Sequence, residues 1–276
     1  MKPAISVATD VARELGLAID EPVPLRSTNN IVAWLRPAAV VAKVSIESQS
    51  RLLTELRVAQ ELVALDAPVV APAAGVPAVV HRRDGFEITF WRYHAQPSGI
   101  EIPADRVSFV LSKLHAALNQ LSPALKSTLP SYREELNFVR ELLADQSALP
   151  ALKPEDRDLL IATFDRLQAR LDERAPADRC VVLHGSPHSH NVLFVGEEPA
   201  FIDFETTCFG PVEWDLAHLD PEAEPFFADS MDAELLWLCR GMVSVKTATL
   251  CAAEIDRGDM REHAEYHLAY VREHIR

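Results

Sequence analysis

The spacing of apolar residues changes along the chain, and each change marks an element. Residues 7–17 repeat apolar positions at helical intervals and stop near Gly16. Residues 31–35 and 39–44 are short apolar runs on either side of Arg36-Pro37-Ala38, which predicts two strands across a turn. The period then lengthens. Leu52, Leu56, Ala59 and Val63 form a helical stripe within residues 50–65, widened by Leu53 and Leu62. Proline and alanine dominate residues 69–77, which read as loop, and Arg83-Asp84-Gly85 is a turn signal between strands at 78–81 and 86–91.

Beyond Tyr93 the pattern is helical, over residues 106–118, 132–143, 154–171, 231–257 and 259–272. Only residues 183–204 interrupt it with strand character, and Pro97-Ser98-Gly99 reads as a connector. The fold class expected is α+β and bilobal. A small mixed-sheet lobe would span residues 1–93 and a larger, mainly helical lobe 94–276, with a hinge near 90–97 and a ligand cleft between them.

Composition narrows the partners. The chain has 276 residues, 48% apolar and 25% charged, which is ordinary for a globular protein. A formal charge of −14 argues against nucleic acid as a partner, since phosphate-backbone binding needs clustered Lys and Arg. The N-terminus lacks the apolar core of a secretory signal, and no uninterrupted apolar run approaches the ~20 residues that span a bilayer. Cys180, Cys208, Cys239 and Cys251 are spaced neither as a disulfide framework nor as a zinc site. A cytoplasmic protein with reduced thiols, a monomer or homodimer without membrane contact, is the expectation.

Candidate chemistry starts at Lys43, an ammonium within an apolar strand that needs an anion. Glu55 lies on the following helix and pairs with it if that helix packs on the sheet; a solvated edge lysine is the alternative. No Gly-x-x-x-x-Gly-Lys-Ser/Thr loop is present. Leu25-Arg26-Ser27-Thr28-Asn29-Asn30 precedes Lys43 instead, either as a phosphate cap or as an ordinary Asx turn. The most specific segment is Val181 to Glu205. Its loop is expected at the mouth of a hairpin, with Asn191 at the loop exit and Asp203 in the next strand, two oxygen donors suited to a hard cation. Asp220, Glu222, Glu224, Asp229, Asp232 and Glu234 form an acidic run, read as solvated surface or as a lure for a cationic substrate. Core packing is expected for Trp214 and Trp237.

The order His184-Gly185-Ser186-Pro187-His188-Ser189-His190-Asn191, Ile202-Asp203-Phe204-Glu205, Gly210-Pro211 and Asp215-Leu216-Ala217 resembles the aminoglycoside phosphotransferase and choline-kinase-like branch of the protein-kinase-like fold. Leu111-Ser112-Lys113-Leu114-His115 resembles that branch's Leu-x-x-Leu-His helix. The resemblance implies a kinase using ATP or GTP with Mg²⁺ on a small-molecule acceptor, and the acidic run would favour a cationic one. It implies that Asn191 and Asp203 hold the metal and that Lys43 and Glu55 position the nucleotide. Trp91 and Tyr93 would lie at the hinge that meets the base. Asp215 would brace the catalytic loop through backbone hydrogen bonds, with His184 beneath it, or cap the next helix. Glu205 would be outer-shell or substrate-facing. Ser186 departs from the pattern, which has aspartate there as the base. His188 and His190 are nearby, and His190, where relatives often have glycine, either packs against the larger C-terminal lobe or replaces the base. A nucleotide-binding protein without transfer, a nucleotidyl transferase and a scaffold are the alternatives.

Overall fold

The structure is a computed structural model and describes residues 1–27, 30–229, 231–257 and 259–275. The N-terminal elements are α1 (Lys2–Glu14), β1 (Ile19–Ser27), β2 (Ile31–Pro37), β3 (Val40–Ile46), α2 (Leu52–Ala64), β4 (His81–Arg83) and β5 (Phe86–Arg92). Next come α3 (Ala104–Leu118), α4 (Pro123–Lys126), α5 (Tyr132–Ala144) and α6 (Pro154–Arg174). Four short strands follow: β6 (Val181–Leu183), β7 (Val192–Val195), β8 (Glu198–Phe201) and β9 (Cys208–Gly210). The chain closes with α7 (Val212–Leu216), α8 (Ala233–Ala253) and α9 (Met260–His274). Two compact units result, Met1–Thr128 with His188–Thr207 and Leu129–Pro187 with Cys208–Arg276.

In the first unit the sheet order is β1-β2-β3-β5-β4, and every adjacent pair is antiparallel. The pleat sorts the side chains by face. Leu35, Ala42, Val44, Ile88 and Phe90 join Ala4, Ala8, Val11 and Ala12 of α1 in one core. Lys43 stands opposite Val32 and Thr89, and Val41 opposite Trp34 and Trp91, so these six residues share the other face. β1 is a strand that the apolar pattern does not predict. Its sequence contains Asp20, Glu21, Pro22 and Pro24, which suit an edge strand with one side free of pairing.

On α2 the buried face is Leu52, Leu56, Val58, Ala59 and Leu62, together with Glu55. Leu53 and Val63, expected in the stripe, are 42% and 43% exposed. Helix α2 is tied to the start of α4, where Ser122 donates through N and Oγ to the Glu61 carboxylate at 2.7 Å each. It also packs against the short turn Phe204–Thr206.

The second unit is helical around α8. Leu235, Leu238, Cys239, Met242, Val245 and Ala248 meet Leu160, Phe164, Leu167 and Leu171 of α6 and Leu136 and Val139 of α5. Caps explain where these helices start. Ser131 and Glu134 close a capping box on α5, and the Asp232 carboxylate accepts from the amides of Glu234 and Leu235 at the head of α8. By length and composition α8 would qualify as a bilayer-spanning helix, but 78% of its most apolar window is buried within the protein, as in a core helix. Trp214 is fully buried and Trp237 packs at the core margin. All four cysteines are free, and three are buried.

Candidate functional site

Lys43 is buried at 7% exposure on the face of β3 turned away from α1. Its Nζ lies 2.8 Å from Glu55 Oε2, 2.8 Å from Asp203 Oδ1 and 2.8 Å from Glu205 Oε1. These contacts match the three donors of an ammonium. Burial pulls the Lys43 pKa down, but the carboxylates, Glu55 foremost, more than reverse this and hold it above its ordinary value. Burial pushes the Glu55 carboxyl up, and Lys43 offsets part of that rise. Three carboxyl groups thus surround a single ammonium.

Glu205 is thus a direct partner of Lys43. It also accepts from Asn30 Nδ2 at 2.8 Å. Asn30 is the one residue of the 25–30 stretch that reaches the cluster in the described structure, since residues 25–27 belong to β1 and Thr28 and Asn29 lie outside the described residues.

Asn191 and Asp203 come together through the β7–β8 hairpin. Val192 pairs with Phe201, and the Ile202 amide donates to the Asn191 carbonyl at 3.0 Å. Asn191 and Asp203 therefore leave the same end of one hairpin. Two expectations need correction here. The strands flanking the 184–191 loop do not pair with each other: β6 pairs with β9, and β7 with β8. Asp203 does not lie in a strand; it follows β8 with φ +69° and leads into the turn Phe204–Thr206. That left-handed conformation costs a non-glycine residue about 1–2 kcal/mol, though Asp tolerates it better than most. It is the kind of local strain found at functional sites.

His188 and His190 stand beside this hairpin with ring centroids 5.8 Å apart. His188 Nε2 is 3.3 Å from Asn191 Nδ2, so His188 orients the amide. His190 is exposed.

At the end of β5, Trp91 is buried and donates through Nε1 to Thr89 Oγ1 at 2.9 Å. Tyr93 stacks on Trp34, with centroids 4.0 Å apart and planes 4° from parallel, and the Arg36 guanidinium is 5.1 Å from the same indole. The amides of Arg92 and Tyr93 donate to Ala71 and Ala39. Trp34 went unnoticed in the sequence. Its cross-strand relation to Val41, two residues from Lys43, is the signal that identifies its face.

In the second unit, Asp215 is fully buried and accepts from the amides of His184 at 3.0 Å and Gly185 at 2.8 Å. It lies inside α7, not at a helix cap. Gly185 has φ +93°, a backbone turn that glycine makes without strain and that aims two successive amides at one carboxylate. His184 Nδ1 accepts from the Ser186 amide at 3.4 Å, and Ser186 is half-buried. Much of the acidic run is tied down. Asp232 and Glu234 pair with Arg174, and Glu224 pairs with Arg240.

Solved structures share this fold. An amicoumacin kinase, hAmiN, in complex with AMP-PNP, Ca²⁺ and Ami has 15% identity and a TM-score of 0.70, covering 98% of this chain and 96% of that one. Spectinomycin phosphotransferase APH(9)-Ia in complex with ADP and spectinomycin has 16% identity and a TM-score of 0.66, covering 96% and 94%. Choline kinase LicA from Streptococcus pneumoniae has 14% identity and a TM-score of 0.65, covering 97% and 99%. No curated protein sequence matches the chain. The sequence model described as the phosphotransferase enzyme family matches residues 27–230, most of the chain, and the protein belongs to that family.

Proposed function

We propose that this protein transfers a phosphoryl group from ATP, or from GTP, to a small hydroxyl- or amine-bearing acceptor. The observation that carries this reading is the buried Lys43 cluster, with Glu55, Asp203 and Glu205 each 2.8 Å from one ammonium. Such a cluster can exchange partners. Its excess of carboxyl groups suits a dication, and the carboxylates of Asp203 and Glu205 with the Asn191 amide are the hard oxygen donors that Mg²⁺ prefers. When bound, the metal neutralises charge on the transferred phosphate.

The chain's own groups take the other roles. Lys43, oriented by Glu55, binds donor phosphates, and Trp34, Trp91 and Tyr93 lie on or beside the same sheet face to receive the base. Residues 1–93 thus supply most nucleotide contacts, and residues 94–276 the loop and the acceptor site. His188 fixes the Asn191 amide, and Asp215 fixes the loop backbone. Ser186, neutral at physiological pH, holds the acceptor hydroxyl by a hydrogen bond. Exposed His190 takes the proton.

A turnover assay with ATP, Mg²⁺ and a panel of amino and hydroxyl acceptors tests the proposal, with the product mass separating phosphate from AMP transfer. Absence of nucleotide binding at saturating Mg²⁺ would sink it. The second reading, nucleotide binding without transfer, is favoured by Ser186 alone. It predicts nucleotide affinity with no phosphate release on any acceptor.

A further inference from the structure

Helix α8 runs through the apolar centre of the second unit, yet it places Lys246 there at 5% exposure. A buried ammonium is expensive unless compensated. Two groups compensate it. Glu135 Oε2 on α5 is 3.0 Å from Nζ, and the Trp214 ring centroid is 5.2 Å away. Trp214 also meets the Tyr132 ring at 5.1 Å. Among the described residues neither the Trp214 Nε1 nor the Tyr132 hydroxyl has a hydrogen-bond partner, and packing and ring contacts surround this indole. Helix α7, which carries it, has only five residues and is too short to be stable without its neighbours. Asp215, the next residue, binds the amides of His184 and Gly185. The Cys208 thiol lies among the same groups. Burial, then Asp215 and Glu135, push its pKa up, while Lys246 pulls it back.

We propose that Lys246 is a positioning residue: its ammonium seats the Trp214 ring and thereby holds Asp215 against the backbone of the 184–186 loop. Glu135 offers the ammonium a hydrogen-bond acceptor, which the amide oxygen of a glutamine would also provide, and the ring contact carries the effect of the cation to the loop. The consequence for catalysis rests on the function proposed above, but the contact does not. Amide exchange needs no turnover, so it can fail or succeed independently of phosphotransfer.

The test is hydrogen exchange at the amides of His184 and Gly185 in the full chain, with amides of α6 reporting global opening. Lys246→Met should speed exchange at these two amides about tenfold beyond any change in α6, the scale of a desolvated cation–π contact. Lys246→Arg should restore most of the protection. Glu135→Gln, which leaves the cation in place, should change it less than about threefold. A plain Glu–Lys staple predicts equal effects from Lys246→Met and Glu135→Gln, and that result overturns the proposal, as does unchanged protection in Lys246→Met. Should Lys246→Met not fold, Glu135→Gln still decides: Glu135 is partly exposed, and a tenfold loss in that variant counts against the proposal.

Discussion

The two buried carboxylate sites of this protein use charge in opposite ways. In the first unit, Asp203 and Glu205 meet Lys43 side chain to side chain, and Asp203 is 31% exposed. A ligand can re-pair such groups without disturbing the backbone. In the second unit, Asp215 binds two main-chain amides and is sealed from solvent. Releasing that carboxylate means opening the loop. The first arrangement suits exchange and the second permanence, which is what the nucleotide-handling cluster and the loop brace proposed above would respectively require.

The sharpest way to break this contrast is to remove the exchangeable cation. Lys43→Met should lower turnover about 10³-fold, the effect of losing one preorganised group that stabilises developing charge. Steady-state kinetics with saturating nucleotide checks it, and near-normal turnover would mean that Lys43 is only structural. Next in size is the permanent site. Asp215→Asn retains one acceptor oxygen and loses the other, so unfolding in denaturant should show a loss of about 2–3 kcal/mol. If Lys43→Met proved the more destabilising of the two, the division between exchange and permanence would be wrong.

Ser186→Asp restores the carboxylate that the resemblance leads one to expect. We predict a gain in turnover of about 10²-fold, retained when His190→Gln is added, because the new base makes the histidine dispensable. No gain in the single variant would indicate that the present loop already has an effective base. A pH-dependent effect concerns a second-unit group kept neutral instead of paired. Burial, and then His263, lower the His267 pKa from 6.5 to about 4. Because the folded value is the lower one, His267 contributes stability that is fully present above pH 6.5 and is lost as pH falls towards 4. Melting temperatures across that window should decline in the parent and decline less in His267→Gln.

The helices were legible because a helix writes its period into neighbouring residues. The ends of α2, α5 and α9 fall within two residues of the positions that the apolar spacing indicates. Strand β1 was not legible, because an edge strand need bury little and its prolines imitate a loop. The hairpin expected around residues 184–191 failed for a related reason. The apolar runs of β6 and β7 each announce a strand but say nothing about its partner, and the partner of β6 is β9, more than twenty residues downstream.

The candidate site divides along the same line. Residue types and their order in 181–217 pointed to the family and marked Asn191, Asp203 and Asp215, and an ammonium inside an apolar run marked Lys43, because such patterns are local properties of the chain. Only the tertiary structure decided that Glu205 and Asn30 join Lys43, that Trp34 stacks on Tyr93, and that Lys246 lies under Trp214. Those contacts join residues from different strands and helices. Their energies depend on burial and distance, which no local pattern of residues specifies.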